Sequence, residues 1–185
     1  ALLALGCLLR AILAFFVEPF LNWAEAPQAY MAQLVSKGEL FPLVYFQIPY
    51  IGALEIYPLA FFMKVFGDNV ATINLFFFLL SIASMYGGRI VYSHLYSARW
   101  ANLALAIYAL GHPFVLLITL QGYGFGTLVM LEALILWVLV RFREKPRART
   151  EWLLLGIING LSLFNNVLST GVLILSFWYV LHARK

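Results

Sequence analysis

Between residues 18 and 68 the chain gathers Glu18, Glu25, Glu39, Glu55 and Asp68, with only Lys37 and Lys64 to answer them. Five of its eight acids fall in that stretch, so any carboxylate chemistry is expected there. Carboxylates beside apolar segments suit two tasks: one takes a proton from a hydroxyl, and two hold a divalent metal against a phosphate. The same residues also serve as ordinary solvated loop acids. Around Glu25 the spacing of Tyr30, Met31, Leu34 and Val35 predicts a helix over 25–35, stopped by Lys37-Gly38. The apolar runs 40–46 and 47–57 follow, and bring Gln47, Tyr50 and Glu55 close to that helix in sequence.

Two charges stand inside apolar segments, Arg10 and Glu132. An ionised group at such a place costs roughly 2.5–3.5 kcal/mol or more. Each lies seven residues from the same-side end of its segment, about 10 Å deep at 1.5 Å per residue. Equal depth predicts a structural ion pair between them. His112 precedes Pro113 in another apolar run. A histidine there either ligates a haem or chlorophyll or is a hydrogen-bonded residue at a helix kink, next to a carbonyl that the proline leaves free. Cys7 is the single cysteine and has no internal partner. There is no zinc spacing, no nucleotide loop and no serine triad, and nothing calls for a nucleic acid.

The elements that must position these residues follow from composition. Hydrophobic residues make up 64% and charged residues 11% of 185, with a net charge of +4. A soluble domain carries about 25% charged residues, so the chain is expected to be an integral membrane protein, a single all-α transmembrane domain over 1–185 whose bulk partner is the lipid bilayer. Spanning segments need about 20 apolar residues. Candidates are 1–17, 70–92, 100–120, 125–140, and a stretch over 152–181 that Asn165-Asn166 divides into two short helices. Lysine and arginine set the orientation. The run Arg141, Arg143, Lys145, Arg147 and Arg149, the tail Arg184-Lys185, and Arg89 and Arg99 all fall on one side if six helices cross. Both termini are then cytoplasmic, 141–151 is a basic cytoplasmic connector, and 18–68 is an external loop with interfacial helices. The segment 50–66 carries Glu55, Pro58 and Lys64 and is expected to lie in the interface; a seventh crossing is the alternative.

The run Gln47-x-x-Tyr50-x-Gly52-x-Leu54-Glu55-x-Tyr57, with Phe66-Gly67 after it, resembles the first external loop of the GT-C glycosyltransferases. The stretch from Trp23 to Ala32, Gly122-Tyr123 before Thr127-Leu128, and Gly156-x-x-x-Gly160-Leu161 are similar to further family positions. The likeness extends over almost the whole chain. It implies a polytopic bundle of about six spans with juxtamembrane helices in the first external loop, as in the protein mannosyltransferase and aminoarabinose transferase relatives. It also implies sugar transfer from a polyprenyl-phosphate donor on the external face of a bacterial inner membrane, with either a divalent metal or a basic group helping the phosphate to leave if the chain is active. Carried over residue by residue, Glu25 is the base, and Gln47, Tyr50 and Glu55 shape the substrate site. The chain departs from the family in three ways. Ala24 stands where the catalytic aspartate is expected, 121–126 holds no acid, and family members are longer. Those departures leave a second reading open, a truncated and catalytically inactive bundle serving as a structural subunit of a larger photosynthetic or respiratory membrane complex.

Overall fold

The computed structural model describes residues 2–17, 25–46, 48–110, 120, 125–144, 149–166 and 169–182. The described chain is predominantly helical, with one short antiparallel ribbon. Helix α1 (Leu2–Ile12) continues as π-helical turns over Leu13–Val17. Then come α2 (Glu25–Ser36), β1 (Val44–Tyr45), β2 (Ile48–Gly52), α3 (Ile56–Phe66), α4 (Val70–Leu95), α5 (Ala98–Leu110), α6 (Phe125–Glu144), α7 (Arg149–Asn165) and α8 (Thr170–His182).

Helix α2 stops where the glycine predicts. Gly38 adopts φ 75°, the Glu39 amide donates to the Leu34 carbonyl (2.9 Å) and the Gly38 amide to Val35 (2.9 Å). These are the two bonds of a Schellman turn, which closes a helix by satisfying its last carbonyls. Helix α4 starts at Asn69, whose side chain accepts from the Thr72 amide at 3.0 Å. The division at Asn165-Asn166 also stands: α7 ends there and α8 resumes at Thr170.

The stretch 50–66 is not one element. Its first residues extend as β2, which pairs with β1, and its remainder is the 11-residue α3. At 1.5 Å per residue α3 is about 16 Å long, well short of a hydrocarbon core of roughly 30 Å. Among the described residues one helix, α4 with 26 residues, is long and apolar enough to cross a membrane unaided. Leu2–Phe16 and Ile56–Phe66 are shorter apolar helices.

Helix α4 is also the hub of the packing, touching α1, α3, α5 and α6. Around its first turns a core of Met31, Ala32, Tyr45, Ile56, Leu59 and Phe77 joins α2, the ribbon and α3 into one packed unit. A second core, with Ile135 and Leu155 at its centre, lies between α6 and α7. A third joins α4 and α5 through Met85, Leu105 and Ala109, with Leu3 and Cys7 of α1 against it. Asn74 of α4 donates to the carbonyl of Ala14 in the π segment at 2.9 Å, tying α1 to α4.

Candidate functional site

The ribbon, α2 and α3 form a helix–hairpin–helix unit, and Glu55 sits at its base. It precedes α3 as the N-cap residue, yet its side chain makes no capping bond. The carboxylate instead accepts from the Tyr45 hydroxyl (2.9 Å) on β1 and the Thr127 hydroxyl (2.7 Å) in the first turn of α6. Glu55 is 1% exposed and Tyr45 2%. Burying a carboxylate is costly unless donors meet it, and hydroxyl donors to a charged acceptor make short, strong bonds. Expected to shape a substrate site, Glu55 is thus sequestered, tying the hairpin unit to α6.

A second tie lies beside it. Ile51 of β2 pairs with Asn166 at the end of α7. A side chain at Gly52 would overlap the Phe164 carbonyl, so the backbones of β2 and α7 touch because that residue is glycine. The asparagine pair that breaks the helix therefore also supplies a strand-like edge for β2.

Helix α2 presents Gln28, Met31 and Ala32 to the core, with Val35 packed against it. These positions follow the i, i+3, i+4, i+7 rule of an apolar stripe, and Gln28 occupies one of them. It is wholly buried, and among the described residues neither atom of its amide has a hydrogen-bond partner. Leaving a buried polar group unpaired costs roughly 1–3 kcal/mol, which marks Gln28 as a residue the fold alone does not account for. Glu25, the expected base, is the first residue of α2, one turn before Gln28. Tyr50 lies in β2, and Gln47 falls outside the described residues. So do His112 and 121–124.

The expected ion pair of Arg10 with Glu132 is not formed. Arg10 is wholly buried and donates from Nε to Ser81 Oγ (2.8 Å) and from its terminal nitrogens to the carbonyls of Ala109 (3.2 Å), Tyr108 (3.0 Å) and Gly6 (3.4 Å). Its guanidinium also lies 5.2 Å from the centre of the Tyr108 ring. Two of these carbonyls belong to the last turn of α5, the negative end of its dipole. Residue 113 is proline and has no N–H to offer Ala109 four residues back. Arginine is thus neutralised by a helix terminus. Glu132 is out of register with it. Gly87 of α4 faces Ala133 of α6, with a Cβ there standing 3.7 Å from the alanine's. Ser81, which Arg10 meets, lies six residues or about 9 Å up the helix. Equal distance from a helix end is not equal depth here, because α4 and α6 are staggered.

Glu132 instead lines an open, mainly apolar cavity of about 1020 Å³ between α4, α5 and α6. Among the described residues no three histidine, cysteine or acidic side chains converge to hold a metal ion. Comparison of the chain with known protein-family models, curated proteins and solved structures finds no match.

Proposed function

We propose that the chain is a polytopic membrane protein of GT-C-like architecture, with six crossings, both termini cytoplasmic and 18–68 external. Its function on this reading is sugar transfer from a polyprenyl-phosphate donor at the external face. The observation that supports it most is the folding of the loop between α1 and α4. Its described residues form two helices and a ribbon packed as one unit, with Glu25 opening the first helix. In the transfer, Glu25 takes the proton of an acceptor hydroxyl. The acceptor oxygen then bonds to the anomeric carbon, and the bond from that carbon to the polyprenyl phosphate breaks, the phosphate leaving with the electron pair. The Gln28 amide, one turn from Glu25, has donors and an acceptor that no described residue meets.

A second reading has its own support. Ala24 replaces the expected aspartate, and Glu55 is committed to Tyr45 and Thr127. On that reading the hairpin unit is a contact surface, and the chain is an inactive subunit among other membrane proteins. The deciding measurement is turnover of a labelled polyprenyl-phosphate sugar by the purified chain, beside Glu25→Ala. Turnover that Glu25→Ala abolishes supports transfer. Absence of turnover, with other membrane subunits co-purifying in fixed ratio, supports the subunit.

A further inference from the structure

The cavity between α4, α5 and α6 is walled by apolar side chains, with Tyr92 and Trp100 at one end and Ser84 and Tyr108 at the other. It carries two opposite charges, Arg89 from α4 and Glu132 from α6. Both are half-buried. They do not pair with each other, and no described residue offers either a hydrogen bond or a counter-charge. A carboxylate and a guanidinium that share one apolar cavity without meeting leave room for a ligand that carries both complements. From Ser84 to Tyr92 the cavity follows about 12 Å of α4, an elongated shape that fits an aliphatic chain beside a head group.

We propose that this groove binds a phospholipid whose head group joins a phosphate diester to a primary ammonium, Arg89 taking the phosphate and Glu132 the ammonium. The guanidinium fork matches phosphate oxygens. The carboxylate requires N–H donors, which a primary ammonium has and a quaternary one lacks. Tyr92 and Trp100 are the aromatic types that sit at head-group level, and the apolar walls receive an acyl chain. The inference needs the chain to lie in a bilayer. It does not need glycosyl transfer, so loss of one leaves the other standing.

The test is thermal melting and native mass spectrometry of the purified full chain, delipidated and then supplied with phosphatidylethanolamine, phosphatidylcholine or phosphatidylglycerol of identical acyl chains. Wild type is expected to bind the ethanolamine lipid roughly tenfold or more tightly than the other two, the worth of one charge-assisted bond. Glu132→Gln, which keeps shape and removes charge, is expected to abolish that preference while leaving phosphatidylglycerol binding unchanged. Arg89→Gln is expected to weaken all three lipids alike. Equal binding of the three lipids by wild type overturns the proposal without recourse to any variant. So does an ethanolamine preference that persists in Glu132→Gln, or a groove that retains a second protein chain and no lipid.

Discussion

Gln28 is the residue whose burial is hardest to explain by folding alone. A methionine of similar shape fills the same space without two orphaned polar atoms. Gln28→Met is therefore expected to raise stability by roughly 1–2 kcal/mol, read as a higher melting temperature in detergent. A lower one would mean that the amide has a structural task. If the same variant also lost turnover, the amide would belong to the site. Arg10 makes the opposite case. Arg10→Ala strips donors from Ser81 and the end of α5 and opens a buried hole, at a cost on the order of 3 kcal/mol. Since Glu132 is no partner, a double-mutant cycle between Arg10→Ala and Glu132→Gln in lipid-free detergent is expected to give a coupling below about 0.5 kcal/mol. The sequence made both residues conspicuous, because a charge in an apolar run is rare. It did not disclose Arg10's acceptors, because backbone carbonyls leave no trace in residue types. Pro113 was the one available hint, since it withdraws an N–H from a carbonyl that Arg10 then serves. Gln28 was legible only as a polar residue at an apolar stripe position, a weak signal in a helix that also carries Gln33 on its surface side.

At the scale of elements, the boundaries that glycine and asparagine set were readable. Gly38 ends α2 and Asn165-Asn166 ends α7, because left-handed backbone and turn preference are properties of single residues. The ribbon was not readable. β1 has two residues, and β2 runs into α3 inside one apolar stretch whose composition suits either a strand or a helix. What decides the outcome is distant: Asn166 pairs with Ile51, and Phe164 closes over Gly52. Gly52→Ala is accordingly expected to destabilise by about 1–3 kcal/mol. Gly156→Ala, in α7 with open space where the methyl group would go, is expected to be neutral or to stabilise by roughly 0.5–1 kcal/mol. Comparable losses in both would show that the contact at Gly52 is unimportant. The site divides similarly. Glu55 stood out by type, whereas its partner Thr127, 72 positions away in the chain, could be found only by folding.

The whole molecule places its charge asymmetrically. The hairpin unit carries acids and exposed Phe41, Leu43 and Phe61, while the far ends of α4 and α6 carry Arg89 and Arg141. On the proposed topology of six crossings these lie on opposite faces of a membrane. In a Cys7→Ser background, single cysteines at Glu39 and Asp68, both exposed, are expected to react with an impermeant maleimide in intact cells. Protection at position 68 alone would mean that the chain crosses between them. The pairing of Ile51 with Asn166 also has a consequence in time. A ribosome adding 5–20 residues per second needs roughly 5–20 s to make the hundred or so residues between them. Through that interval β2 has β1 on one side and an open edge on the other, the kind of edge that recruits a stray strand. Synthesis from the amino end thus creates a waiting period, in which the hairpin unit is assembled but unlatched and must be shielded by lipid or by a chaperone until α7 arrives.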